Sequence, residues 1–363
     1  MSTAYRTVGW NANKRRYDTV AVALAVTATA LFVAIQAIAD PALTIETLLI
    51  RGLGATAFLL LHVILCIGPL ARLDPRVLPV LYNRRHLGVL MCTFELAHGG
   101  FGVVQFHTAG TIDPLVNLLA ADGRYGEVGR FPFQVLGLAA LAILGLMAAT
   151  SHDFWLHQLT APVWKALHMG VYLAYALIVL HVLFGVAAEE TQPWLLALLG
   201  GGALLVFGLH TAAGWREARR DRDSAPAGMP GDGEPGFVDV CHVDDIPERR
   251  AVITCLAGER VAVFRYEGRV SALSNVCQHQ NGPLGEGRIV NDCVVCPWHG
   301  YEYLPASGAS PAPFVERVPT FDVRLVGGRV HVRSTPNPPW TRVEPARIQP
   351  DGIQPACIGP GSA

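Results

Sequence analysis

The sequence predicts a multi-domain chain: an all-α bundle of six transmembrane helices followed by a small all-β domain. Three observations predict it. Hydrophobic residues make up 51% of the 363 positions and charged residues only 16%, well below the roughly 25% charge of soluble domains. Six apolar runs approach the length of about 20 residues that a span needs. Beyond a Pro/Gly-rich break, the β-rich runs RVAVFRY, VSALSNV, CVVCPWHG and RVHVRS are bounded by glycine turns, as in a small antiparallel domain.

Residues 1–17 form a basic N-terminal segment with Arg6, Lys14, Arg15 and Arg16. The membrane part is expected over residues 18–213, with runs at about Thr19–Ala39, Leu53–Leu70, Leu87–Val104, Phe131–Ala149, Ala166–Ala188 and Trp194–Leu209. Ala37-Ile38-Ala39 resembles a signal-peptide cleavage site, but the run before it is long for such a peptide. The third run is the most polar, holding Glu95 and His98. Arg72, Arg76, Arg84 and Arg85 fill the loop before it, Lys165 precedes the fifth run, and Arg216, Arg219, Arg220 and Arg222 follow the sixth. With the N-terminal four these make thirteen, against Arg51, Arg124 and Arg130 on the other side. By the positive-inside rule the thirteen face the cytoplasm. Both termini are then expected on the cytoplasmic side of a bacterial-type inner membrane. Residues 214–236 read as a charged, then Pro/Gly-rich flexible linker. The β domain is expected over 237–334 and a Pro-rich disordered tail over 335–363. No nucleic-acid partner is expected.

The sharpest motif is CQHQNGPLGEGRIVNDCVVCPWHG, residues 277–300. It sets Cys277 and His279 two apart and Cys296 and His299 three apart, with sixteen residues between the pairs. Two thiolates and two imidazoles so arranged suit a [2Fe–2S] cluster, two Cys on one iron and two His on the other. Zinc also accepts Cys2His2 sets, but zinc fingers pair Cys with Cys and His with His. From about Phe237 to Arg333 the chain resembles the Rieske family. Rieske proteins of respiratory cytochrome bc complexes carry two further cysteines in a disulfide. The matching positions here are Gly282 and Trp298, so the resemblance implies no disulfide, as suits a reducing compartment. Tyr301 stands where those proteins have a Ser, and Tyr303 keeps their Tyr. Fewer hydrogen bonds to the sulfurs favour a lower potential within the Rieske range. CPWHG followed by aromatics looks more like the Rieske ferredoxins and oxygenases. Cys293 reads as a buried strand residue.

Ionisable residues inside a bilayer are costly and usually functional. His98 lies in the third run; His168 and His181 lie thirteen residues apart in the fifth, about 20 Å along a helix axis. RLDP, NRRHLG and WKALHMGVYLAYALIVLH, with His98 between the last two, resemble the ferric reductase-like transmembrane family over about Ile50–His210. That family includes ferric reductases, NADPH oxidases and the membrane heme subunit of a bacterial methionine sulfoxide reductase system. The resemblance implies heme b, one or two, held by histidines on neighbouring helices. From depth, His98 pairs with His181 and His86 with His168. His62 and His107 are alternative ligands, and His98 with His168 around one heme is another arrangement. His168 and His181 are about 140° apart around their helix, so two stacked hemes require bending. His152, His157 and His210 are expected at the membrane surfaces. Glu95 shares a face with His98 and is expected to orient a neighbour by a hydrogen bond.

Absences narrow the function. The sequence has no GxGxxG dinucleotide fingerprint, and fewer than 65 residues follow His299, too few for the catalytic domain of a Rieske oxygenase. The expectation is a relay for single electrons between cluster and heme, working with a reductase or oxygenase redox partner and with quinone as a candidate partner. A membrane-anchored carrier feeding a cytoplasmic oxygenase and a heme-free membrane anchor are the competing readings.

Overall fold

The structure is a computed structural model. It describes residues 12–108, 111–120, 132–151, 155, 159, 161–186, 193–223, 236–279, 281–298, 300–312, 314–338 and 341–348. It divides into a helical unit and a β unit, with the division between Glu217 and Ala218.

The helical unit contains α1 Ala12–Ala39, α2 Ile45–Leu73, α3 Leu78–Tyr82, α4 Arg84–His107, α5 Pro114–Ala120, α6 Phe133–Ala149, α7 Ala161–His168, α8 Gly170–Phe184 and α9 Pro193–Asp223. Five segments are long and apolar enough to cross a membrane, the fourth of them formed by α7 and α8 together; α6, with 17 residues, is shorter. With α6 they account for the six expected runs. The burial pattern is that of lipid as solvent. Leu24, Leu31, Leu59, Leu96, Leu173, Leu204 and Phe207 face outward, whereas Leu61, Leu65, Met91, Ala140, Leu144, Ala174 and Ile178 form the interior. Small residues such as Ala57, Ala140 and Ala174, all buried, let helix backbones approach where apolar burial gives no drive. α2 packs on α1 and α4, α4 on α6, and α6 on α8.

Local chemistry sets the boundaries. Thr44 caps α2 by accepting from Thr47 N. The Asp113 carboxylate accepts from Leu115 N and opens α5, a helix after α4 that the apolar pattern does not signal. The fifth run is divided at Met169, where the Tyr172 N–H reaches back only three residues, to Met169 O. α9 continues through the charged residues Arg216–Asp223, which the sequence reading placed in a linker. Helix propensity explains this: Glu and Arg are good helix formers. The rest of that linker, residues 224–235, lies outside the described residues.

The β unit comprises β1 Phe237–His242, β2 Ala251–Leu256, β3 Glu259–Tyr266, β4 Arg269–Ser274, β5 Arg288–Val290, β6 Cys293–Val295, β7 Glu302–Tyr303, β8 Thr320–Phe321, β9 Val323–Val326, β10 Arg329–Arg333 and β11 Ala346–Arg347. Three antiparallel sheets result: β1-β10-β9, β11-β4-β3-β2 with β8 also on β4, and β5-β6-β7. The hairpins turn at Ala257-Gly258, Glu267-Gly268, Asn291-Asp292 and Gly327-Gly328, all eight residues at positive φ. This is the two-residue geometry that matches strand twist.

The disordered tail expected from Thr335 is a correction. Up to Ile348 its described residues lie against the domain. Asn337 N–H donates to Thr320 O, Val343 N–H to Ala306 O and Ile348 N–H to Gly268 O, and β11 pairs with β4. Proline removes donors only at its own positions, and the residues between supply enough of them. Residues 349–363, with Cys357, lie outside the description.

Candidate redox sites

The small β5-β6-β7 sheet presents the cysteine motif. Cys277 follows β4 and Cys296 follows β6, and both are buried in one cluster with Tyr301 and Tyr303. Each loop closes on itself: Asn281 N–H donates to Cys277 O and Gly300 N–H to Cys296 O. The loops meet at Gly282, where a Cβ would stand 2.6 Å from Cys296 Sγ and 3.1 Å from Trp298 Cγ. The two positions expected to lack a disulfide are thus neighbours, and no described cysteine is disulfide-bonded. The Tyr303 hydroxyl accepts from Gln278 N–H at 3.0 Å and donates toward Cys277 Sγ at 3.4 Å. Burial and the adjacent thiol push its phenol far above the ordinary range. Tyr301 lies parallel to the His279 ring, centroids 5.2 Å apart and planes within 10°, with Phe314 against it at 4.9 Å. His299 lies outside the described residues. Among those described, no three of His, Cys, Asp and Glu gather as a single-ion site; a two-iron cluster asks two protein ligands of each iron. Cys293 is buried in β6, and burial raises its thiol to about 11.

In the helical unit, the ring nitrogens sort the histidines. A carbonyl only accepts, so a ring nitrogen bonded to one carries the proton and leaves the other with its lone pair. His98 Nδ1 donates to Ile50 O on α2 and His181 Nδ1 to Phe133 O, at the first residue of α6, each at 2.9 Å. Both keep Nε2 for a ligand. Their centroids are 6.1 Å apart and their planes 88° to one another. An imidazole nitrogen sits about 2 Å from a first-row metal, with the ring centre about 1.1 Å behind it. Two rings on opposite faces of one iron therefore have centroids about 6 Å apart. The donor set and spacing fit a bis-imidazole heme between α4 and α8.

The other histidines differ. His62 donates from Nδ1 to Phe58 O and accepts at Nε2 from the Tyr175 hydroxyl at 3.1 Å. His210 likewise uses Val206 O and the Tyr172 hydroxyl. Both rings are fully engaged, which leaves no nitrogen for iron. His168 donates from Nδ1 to Trp164 O, stacks on that indole at 3.8 Å and lies within reach of the Met147 carbonyl. Arg85 lies over the other ring system of this group, 5.2 Å from Trp164. His86 is drawn to Asp18 on α1, 2.7 Å from Nδ1 to the carboxylate. His107 is buried with neither ring nitrogen paired. The Tyr–His pairs and the Asp18 contact were missed by sequence reasoning, because their partners come from distant helices.

Comparison with known proteins identifies both domains. The Rieske [2Fe-2S] domain family matches residues 236–322, and the ferric reductase like transmembrane component matches residues 51–179. The protein-methionine-sulfoxide reductase heme-binding subunit MsrQ of Brucella ovis is 33% identical over 181 residues, covering 50% of this chain and 70% of that protein. The ferredoxin component of the alkene monooxygenase system of Xanthobacter autotrophicus is 30% identical over 103 residues, covering 28% of this chain and 84% of that protein. The ferredoxin of carbazole 1,9a-dioxygenase from Nocardioides aromaticivorans is a solved structure with 27% identity and a TM-score of 0.26; the match covers 27% of this chain and 96% of that one. Fold and site together define a multi-pass membrane protein with an iron–sulfur domain. The chain belongs to the ferric reductase-like transmembrane family and carries a Rieske [2Fe–2S] domain fused behind it.

Proposed function

We propose that the chain relays single electrons between a Rieske cluster held by Cys277, His279, Cys296 and His299 and heme b held between His98 and His181. The observation that carries this reading is the pair of rings 6.1 Å apart, each fixed by a backbone carbonyl. His168 is the ligand we assign to a second heme, and Asp18 makes His86 its weaker partner. When bound, cluster and heme each take up and release one electron without covalent change. The protein's part is to keep that step simple. The Ile50 and Phe133 carbonyls fix the tautomer and angle of each imidazole, which limits reorganisation. With His98 and His181 both holding it, the heme would offer no position for oxygen. Tyr303 donates to Cys277 Sγ, and Tyr301 covers His279.

The thirteen-to-three distribution of Lys and Arg supports a bacterial-type inner membrane with both termini and the cluster on the cytoplasmic side. A reductase or oxygenase would then meet the cluster there, with quinone or an outer-face acceptor at the other end. MsrQ, the relative of the membrane part, is named as the heme-binding subunit of a reductase, which favours a reductase system. The likeness of the β part to a monooxygenase ferredoxin favours a second reading, a membrane-anchored carrier feeding an oxygenase. A potentiometric titration of the purified chain, followed optically for heme and by EPR for the cluster, tests the relay. Two one-electron centres support it, and their order gives the downhill direction. A chain that binds no heme after reconstitution refutes it.

A further inference from the structure

The two rings assigned to heme are seated in the same way, on two different helices. His98 Nδ1 donates to the carbonyl of Ile50 and His181 Nδ1 to that of Phe133, each across 48 residues. Four residues beyond each carbonyl stands a glycine, Gly54 and Gly137. A Cβ on Gly54 would lie 2.9 Å from both Cε1 and Nδ1 of His98. A Cβ on Gly137 would lie 2.8 Å from Nδ1 and 2.9 Å from Cε1 of His181. Carbonyl, glycine and histidine recur together at one offset of 83 residues, from 50 to 133, from 54 to 137 and from 98 to 181.

Helix geometry explains why the glycine sits at that step. A Cα–Cβ bond leans toward the N-terminus of its helix, so a side chain four residues on covers the carbonyl it follows. An imidazole reaches that carbonyl from outside the helix only where no Cβ stands. Elsewhere in a helix glycine is unfavourable relative to alanine. Gly100 on α4 and Gly145 on α6 would meet nothing within 4 Å of an added Cβ.

We infer that Gly54 and Gly137 are positioning residues for the heme-ligand rings, holding them at the carbonyl and thereby setting their perpendicular planes. This rests on the assignment of His98 and His181 to one heme. Perpendicular axial imidazoles leave two iron d orbitals nearly degenerate, which gives ferric heme a large and anisotropic EPR g value. Shifting either ring off its carbonyl lowers that anisotropy or loosens the heme.

The test uses the full chain in detergent, with the Rieske EPR signal as the measure of folded protein. In Gly54→Ala and Gly137→Ala the expected result is a severalfold lower heme-to-cluster ratio, or a retained heme whose largest g value has fallen. Gly100→Ala and Gly145→Ala should keep the wild-type ratio and spectrum. Wild-type ratio and spectrum in both Gly54→Ala and Gly137→Ala overturn the inference, as does an equal effect of the two control substitutions. If Gly54→Ala fails to accumulate, adding His98→Ala should restore the cluster signal by removing the clash; no rescue points to a general helix defect and overturns the inference. Absence of heme from the wild-type chain sinks the underlying ligand assignment instead.

Discussion

Tyr303→Phe removes one oxygen and should lower the potential of the cluster. The Tyr303 hydroxyl donates toward Cys277 Sγ at 3.4 Å in a fully buried setting. Such a bond stabilises negative charge on sulfur and so favours the reduced cluster, which carries one more electron. A hydrogen bond to a charged group contributes about 1.5–3 kcal/mol. With about half of that depending on oxidation state, the loss is about 0.7–1.5 kcal/mol. At 59 mV per tenfold for one electron, this lowers the potential by about 30–65 mV. The same change leaves the Gln278 N–H without its acceptor, at a further cost of about 1 kcal/mol in stability. The assay is an EPR-monitored redox titration beside thermal unfolding. An unchanged or higher potential in a folded Tyr303→Phe chain would refute the role given to this bond.

Other outcomes follow from the same structure. His98→Ala or His181→Ala should abolish the b-type bands of the heme assigned to that pair, whereas His210→Ala should keep them because its ring is occupied by Val206 O and Tyr172; visible spectra of matched preparations decide this. Gly308→Ala should cost about 3 kcal/mol or more, since φ is +64° and a Cβ would lie 2.0 Å from Val318 O. Gly258→Ala, at φ +83° in open space, should cost only about 1–2 kcal/mol; cluster bleaching on heating separates the two. Burial, reinforced by Asp245, raises the Cys241 thiol to about 11. Its thiolate is therefore scarce at pH 8, and alkylation should be slow there and accelerate toward pH 11. A thiol raised on folding stabilises the fold at pH below its unfolded value, and that contribution is lost as pH climbs toward 11. Mass spectrometry of iodoacetamide labelling, native against denatured, checks the first statement, and rapid labelling of the native chain at pH 8 would contradict it.

The spans were legible because lipid demands long apolar runs, and the hairpins because glycine and asparagine mark two-residue turns. The two loops that bring Cys277 and Cys296 into one buried cluster were legible as a spaced motif. What the sequence hid depends on pairs far apart in the chain. His62, His98, His181 and His210 look alike in an apolar run. They differ through Tyr175, 113 residues from His62, and Tyr172, 38 residues from His210, and through the carbonyls of Ile50 and Phe133. Gly54 and Gly137 were lost among many small residues that ordinary helix packing explains. The ordered stretch to Ile348 escaped because β11 has two residues, too few for a strand pattern, and is fixed by its pairing with β4. Arg216–Asp223 read as linker because charge there outweighed helix propensity.

The central claim is that cluster and heme exchange electrons within one chain. Rapid reduction of the cluster in the purified, heme-loaded protein, followed optically at several protein concentrations, tests it most directly. The heme bands should reduce as the cluster reoxidises, at one rate that does not change on dilution, and His181→Ala should remove this phase. A cluster that stays reduced beside an oxidised heme of higher potential, or a transfer rate that falls in proportion to dilution, would contradict it.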